Sequence, residues 1–250
     1  MTSGAQAVER ALGVLHCFRD NGPALSASEL GRRLGLSGST AHRLARTLVA
    51  AGFLEQDPRS ARYRLGPSIT ELGQLSFHQR RLHLAAPELG RLARTTSATV
   101  DLAVRSGNEV LILVGGTVRP DTGIGLRRPL HSTAMGKVLL AWSPPADLAV
   151  LGPLTALTDR TIVDPGELRD ELDQVRLDGY AVNDGESEAG VRTLAVPVRD
   201  GGGNARYALA VRSTPAVLTT GRLDWFLDRA VSCARTLEVL LLPLEDRRPL

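Results

Sequence analysis

Residues 26–66 carry a sequence of helix starts, stops and turns that very few folds can accept. Ser26-Ala27-Ser28-Glu29 is a capping box: the serine oxygen and the glutamate can each satisfy free amides of a first helical turn. The helix it opens is short, ending near Leu34. Gly35-Leu36-Ser37 has the length of the turn that joins the two helices of a helix-turn-helix, with Gly35 free to take a positive φ and Leu36 directed inward. A further helix is predicted from Gly38 to Ala51, stopped by Gly52. Upstream, Val8, Ala11, Leu12, Leu15 and Phe18 recur at helical spacing between Ala5 and Phe18, and Gly22-Pro23 then breaks the chain.

At about 100° per residue, Ala41, Leu44, Ala45, Leu48 and Ala51 fall on one side of the third helix, and Ser39, His42, Arg43 and Arg46 gather on the other. The second set holds the groups that read base edges. Arginine offers paired donors to guanine, while Ser37, Ser39, Thr40 and His42 can bond bases or phosphates. An ordinary solvated helix face would look the same, so the segment after the helix carries weight. Residues 53–56 and 62–65 read as short strands around Asp57-Pro58-Arg59-Ser60, a basic-tipped hairpin directly after the third helix. Arg59 and Arg62 are placed at its tip, where a wing would touch the sugar-phosphate backbone or a minor groove.

Charge agrees with this reading. The net charge is +3, but residues 1–66 hold nine arginines against five acids, a net +4 that leaves −1 for the remainder. A basic third on a nearly neutral body suits a polyanion. Hydrophobic residues at 43% and charged residues at 23% imply a chain with a proper core. Two cysteines, Cys17 and Cys233, cannot form a disulfide framework and read as buried apolar groups in a reducing compartment. The first residues lack a signal-peptide pattern, and the apolar stretch near Leu237–Leu244 is broken by Glu238 and Pro243. The expectation is a cytoplasmic protein that does not cross a membrane.

Beyond Gly66-Pro67, Ile69, Leu72, Leu75 and Phe77 predict a linker helix that needs a neighbour, such as its own copy in a second subunit. A helix from Leu84 to Thr95 and a hairpin turning at residues 106–109 come next. Helices are predicted from Thr133 to Trp142, from Pro165 to Leu177 with Asp164 as cap, and from Thr219 to Leu242. Strands are predicted at residues 180–184, 194–199 and 207–212. Helices flanking an antiparallel sheet make this an α+β arrangement.

Several strings resemble the IclR family of bacterial transcriptional regulators: Val8-Glu9-Arg10-Ala11-Leu12, Glu29-Leu30 through Leu34-Gly35-Leu36, Ser39-Thr40-Ala41-His42-Arg43-Leu44, Gly52-Phe53-Leu54-Glu55 and Tyr63-Arg64-Leu65-Gly66-Pro67. Pro129 through Lys137, and Gly179-Tyr180-Ala181 through Glu186, Gly190, Val191 and Ala195-Val196-Pro197-Val198, extend the resemblance to nearly the whole chain. It implies a winged helix-turn-helix over 5–66, a linker helix over 67–82, and a GAF-like effector-binding domain with an antiparallel sheet over 83–250. It also implies a small organic effector, a carboxylate or aromatic acid. The family's contact positions fall on Ala134, Met135, Gly136, Asn183, Asp184, Val191, Thr193, Ala210 and Arg212. The chain departs from the common pattern at Asn183, often acidic, at Thr193, often cysteine, and on the last strand, where serines are common. If Ser132 caps the helix after it, the amides of Ala134, Met135 and Gly136 are left to favour an anion. Arg212 would be a carboxylate partner if it points inward. His131 is expected to shape the loop and Lys137 to lie on or near the helix surface.

No Gly-x-Ser-x-Gly, phosphate-binding glycine loop, His-Glu-x-x-His or Cys-x-x-Cys occurs, and His78 and His83 are not spaced to share a helix face. The expectation is therefore no catalytic residue, no metal and no cofactor. The reading is a homodimer, or dimer of dimers, binding a double-stranded pseudo-palindromic operator under control of the effector. Its rival is a domain that senses or converts a small acid, with an N-terminal interaction module. The sequence carries no sign of whether the effector releases DNA or promotes binding.

Overall fold

The structure, a computed structural model, describes residues 3–19, 22–115, 126–143 and 151–246. Its described residues divide into two compact units, one ending at Gln79 and one beginning at Arg80.

In the first unit, helix α1 (Ser3–His16) precedes α2 (Ala27–Leu34) and α3 (Gly38–Ala50), followed by strands β1 (Leu54–Gln56) and β2 (Tyr63–Leu65) and helix α4 (Pro67–Gln79). The capping box forms as the sequence predicts: the Ser26 side chain accepts from the Glu29 amide, and the Glu29 carboxylate accepts from the Ser26 amide at 2.7 Å. Gly35 is left-handed at φ 63°. Gly31 is a second requirement of the turn, because a Cβ there would come within 2.9 Å of the Leu36 carbonyl oxygen, and the Leu36 amide donates to the Gly31 carbonyl. Val14, Phe18, Leu30, Ala41, Ala45, Leu54 and Tyr63 form the small core. Leu25 joins the wing through a two-way backbone bridge to Tyr63, which makes the hairpin part of the core rather than an appendage.

The second unit begins with α5 (Leu82–Thr96), β3 (Thr99–Ser106), β4 (Glu109–Val114), β5 (Arg127–Pro129) and α6 (Ala134–Ala141). It continues with α7 (Pro165–Asp178), β6 (Ala181–Asp184), β7 (Arg192–Arg199), β8 (Ala205–Ser213) and α8 (Leu223–Leu241). The strands form one antiparallel sheet in the order β5-β4-β3-β8-β7-β6. Helix α6 packs on one face with α7 behind it, while α5 and α8 cover the other. Strand alternation makes the two faces unlike. Under α6 lie Ala103, Ala181, Ala195, Ala208 and Ala210. The opposite face carries bulkier buried groups such as Leu102, Leu194, Val196, Leu209 and Val211.

Small side chains let α6 sit close to the sheet, and all eight of its residues are buried. A helix buried on every side is hydrophobic all round, as this one is except at Lys137. Gly136 marks the tightest point: a Cβ there would overlap the Leu130 carbonyl. The sequence does not predict strand β5, since Arg127-Arg128-Pro129 has no strand propensity and is extended by pairing with β4. Helix α8 begins at Leu223, after a short 3-10 turn over Thr220–Arg222. Replacing Gly136 by alanine forces backbone apart and is expected to destabilise this unit by about 3 kcal/mol. A lowered thermal midpoint with loss of the near-ultraviolet signal of Trp142 would check it.

Candidate functional site

The polar arc of α3 stands free. Ser39, His42, Arg43 and Arg46 are exposed, and the His42, Arg43 and Arg46 side chains make no hydrogen bond or ion pair with described residues. Ser37 has a different task, as the N-cap of α3: its hydroxyl accepts from the Thr40 amide at 3.2 Å and lies 2.8 Å from the Thr40 hydroxyl. Arg59 is exposed at the wing tip. The tip is pre-shaped by Asp57, whose Oδ1 accepts from the amides of Arg59 (2.9 Å) and Ser60 (2.7 Å) and from the Ser60 hydroxyl. Those donors hold its carboxyl below the usual range, led by the Ser60 amide.

Arg62 is not at the tip. It donates through Nε and Nη2 to the Ala24 carbonyl and lies 2.8 Å from the Glu29 carboxylate, bracing the wing against the start of α2. Sequence spacing put it on the backbone-contacting surface, but a guanidinium at this position satisfies a loop carbonyl and a capping glutamate first. Tyr63 behind it is fully buried with a hydroxyl that has no partner, and burial raises that group's pKa.

The second candidate lies on the α6 face of the sheet. Register aligns Thr99, Arg212, Thr193 and Asn183 in one cross-strand row, and Asp101, Ala210, Ala195 and Ala181 in the next. Four of the positions read from the resemblance, Asn183, Thr193, Ala210 and Arg212, therefore share one face. Arg212 Nε is 3.6 Å from Oδ2 of Asp101, a buried carboxylate on the same face that sequence reasoning missed. Asp184 has the opposite parity. Its carboxylate is half exposed and pairs with Arg160 at 3.4 Å, away from Asn183.

The helix start differs from the expected one by a residue. Thr133, not Ser132, caps α6: its hydroxyl accepts from the Gly136 amide at 3.1 Å and donates to the Pro129 carbonyl at 2.9 Å. The Gly136 amide is thereby spent, so Gly136 serves close packing, and only the Ala134 and Met135 amides lack acceptors among the described residues. Ser132 is instead fully buried with an unpartnered hydroxyl, and its carbonyl accepts from Asn183 Nδ2 at 2.7 Å. The Asn183 amide is fully engaged, donating also to Ser187 and accepting from the Glu186 amide, so it shapes the site more than it offers free donors. Val191 is half-buried at the entry to β7.

Lys137 is not on the surface. It is 1% exposed, with Nζ 2.6 Å from Glu186 and 2.8 Å from Glu171. Burial raises the Glu186 carboxyl pKa, against the opposing pull of Lys137. A single lysine in an apolar segment reads as surface, and its two partners are 34 and 49 residues away, so spacing gave no signal. His131 does shape its loop, through a 3.0 Å bond to the Thr155 carbonyl. Among the described residues no group of three or more His, Cys, Asp or Glu side chains is placed to hold a metal, and no helix is long and apolar enough to cross a membrane.

Residues 7–58 match the IclR helix-turn-helix domain, and residues 78–239 match the C-terminal domain of the bacterial transcriptional regulator IclR. The chain belongs to the IclR family. It is 32% identical over 253 residues to the helix-turn-helix transcriptional regulator BhcR of Paracoccus denitrificans, covering 98% of this chain and 90% of that protein. The crystal structure of an IclR regulator from Silicibacter sp. superposes with a TM-score of 0.84 at 29% identity, covering 97% of this chain and 98% of that one. An IclR homologue from Microbacterium hydrocarbonoxydans, complexed with 4-hydroxybenzoate, gives 0.79 at 30% identity, covering 94% and 98%. The α+β fold, with an N-terminal helix-turn-helix and a C-terminal effector domain, is that of an IclR transcriptional regulator.

Two outcomes test the internal braces of this IclR chain. Hydrogen bonds from the Ser26 amide and hydroxyl, then Arg62, lower the Glu29 pKa from 4.5 to about 2. A depressed acid stabilises the fold above its unfolded pKa, so the contribution is complete above about pH 4.5 and drains as pH falls toward 2. Hydrogen-exchange protection of the Leu30 and Tyr63 amides, corrected for intrinsic rates, should decline over that interval, and Glu29→Gln should flatten the decline. Lys137→Met leaves the buried Glu186 carboxylate unpaired and should cost about 3–5 kcal/mol, with Glu186→Gln in the same chain restoring part of it. Denaturant titration of the single and double variants measures both.

Proposed function

We propose that this IclR regulator reads a pseudo-palindromic operator with paired copies of α3, as a homodimer or dimer of dimers, under control of a small organic effector in its C-terminal domain. The free polar arc of α3 carries this reading. Arg43 and Arg46 supply paired donors to guanine, Ser39, Thr40 and His42 reach bases or phosphates, and Ser37 orients the helix start. Arg59 holds the backbone at the wing tip, while Arg62 contributes by fixing the wing's angle. The winged domain is taken as 5–66, the linker helix as 67–82 and the effector domain as 83–250.

Exposed apolar side chains support dimerisation through α1 and α4. Val8 is 60% exposed, and Leu12, Leu72 and Leu75 are each 50% exposed, on helices whose length gives little stability alone. The effector is a carboxylate or aromatic acid, lying between the α6 N-terminus, Thr193, Ala210, Val191 and Arg212. The unpartnered Ser132 hydroxyl and the two free amides support an anion there. The 4-hydroxybenzoate bound by the Microbacterium homologue supports the same class. The effector acts by binding two dimer arrangements unequally, and the protein works in the cytoplasm without catalysing a reaction.

Footprinting on the DNA flanking its own gene, repeated with a panel of carboxylates, tests the whole reading. Arg43→Ala should cost about 1–3 kcal/mol at the cognate site and relax base preference. Arg59→Ala should weaken all sequences alike and reduce the salt slope by about 1. Parent-like titrations from both variants at fixed salt would overturn the assigned faces, and turnover of a small acid would favour an enzyme.

A further inference from the structure

Helix α8 has two unlike sides. Phe226, Ala230, Ala234, Leu237 and Leu241 are buried, on a helix that packs against α5, β7 and β8. At about 100° per residue, Trp225, Asp228, Ser232, Arg235 and Val239 form a stripe on the side away from that core. Asp228, Ser232, Arg235 and Val239 are exposed, Val239 at 52%, so no described element covers them. Trp225 is half-buried, with the Arg229 guanidinium 3.8 Å from its ring centroid. The steps along the stripe are three, four, three and four residues, the spacing of a seam on which a second helix lies lengthwise.

Read from either end, the stripe has the same order of groups: an apolar side chain, a charge, a small residue, a charge and an apolar side chain. The two charges are opposite in sign. Reversing the helix therefore lays Asp228 on Arg235, Trp225 on Val239 and Ser232 on itself, each pair level to within about 1.5 Å, the rise of one residue. Within one chain Asp228 and Arg235 are about 10 Å apart along the axis, beyond the one-turn reach of helical ion pairs. Neither has a hydrogen bond or ion pair among the described residues. The helix dipole does not account for them, because both lie outside the first and last turns of α8. Along the helix and its N-cap, Asp224, Asp228 and Glu238 are balanced by Arg222, Arg229 and Arg235, so two copies of this element carry no net charge to repel. A partner surface of one charge would meet a like charge at one end of the stripe. A second copy laid antiparallel meets none.

We infer that α8 is a self-association surface: two copies pair antiparallel about a two-fold axis at Ser232, with Asp228 of each copy against Arg235 of the other. The contact is isologous, the same patch on both copies. One helix laid on another is small beside the about 1,200–2,000 Å² buried in a stable interface, so this is a weak contact that joins pairs into four-copy assemblies. The four-copy step rests on the pairing through α1 and α4 proposed above, and the α8 contact itself does not.

Sedimentation equilibrium of the full chain across the micromolar range tests this. The parent should rise from two copies to four with concentration. Asp228→Arg and Arg235→Asp should each weaken that step at least ten-fold by setting like charges together. An equal mixture of the two variants should restore it, because a basic α8 face can then join an acidic one, and restoration also shows that both variants fold. A four-copy species that neither reversal weakens, or that the mixture does not restore, overturns the inference. So does a parent that stays at two copies with either α8 variant, and Leu72→Asp, which should then yield single copies, decides the α1 and α4 reading separately. Two copies that separate on Asp228→Arg but not on Leu72→Asp uphold the α8 contact and overturn that reading. A parent that is a single copy throughout overturns both.

Discussion

Helix α6 lies where it does because Gly136 has no side chain and Lys137 has two carboxylates waiting for it. The glycine lets the helix press against the Leu130 carbonyl, and the alanines beneath it let the helix approach the sheet. The lysine then ties the helix to α7 through Glu171 and to the loop after β6 through Glu186. That loop returns to the helix start through Asn183 and the Ser132 carbonyl. The N-terminal turn of α6 is thus held from both ends, and its two free amides are presented in a fixed direction. A buried ion cluster is a poor source of net stability, because desolvation offsets most of the attraction. Its value here is positional: the fully buried Lys137 and the nearly buried Glu186 are costly to leave unpaired, which favours this one arrangement.

The same logic runs on a smaller scale in the N-terminal unit. Glu29 closes the capping box and also receives Arg62, so the start of α2 and the base of the wing are one hydrogen-bonded assembly. Leu25 and Tyr63 add a backbone bridge between the same two regions. The consequence is a division of labour among the arginines. Arg62 is engaged in bracing the wing, and Arg43, Arg46 and Arg59 remain exposed at the surface. Charge alone does not separate these roles, since all four are equally basic in the sequence.

Local chemistry made much of this readable. The capping box, a glycine in the left-handed region, Asp164 before Pro165 and the apolar stripes each act over a few residues, and the structure contains them where the residues stand. Errors arose where a partner is distant. Thr133 displaced Ser132 as cap because the loop from Pro129 presents its carbonyl to the threonine. Lys137 looked like a surface residue because Glu171 and Glu186 come from separate elements. Asp184 turned away because strand parity, set by pairing with Arg192, opposes it to Asn183. Strand β5 formed from residues with no propensity because β4 offered an edge.

The order of elements apart from β5, the helix-turn-helix with its wing, the polar arc of α3 and membership of the IclR family were determined by the chain alone, since each depends on interactions a few residues long or on strings that recur intact. Tertiary structure decided which arginine is free, which hydroxyl caps α6, that Lys137 is buried, and that Arg212 meets Asp101 on the α6 face. Those outcomes hinge on pairing across strands and on burial. Both are properties of the packed chain, and neither leaves a periodic trace in the sequence.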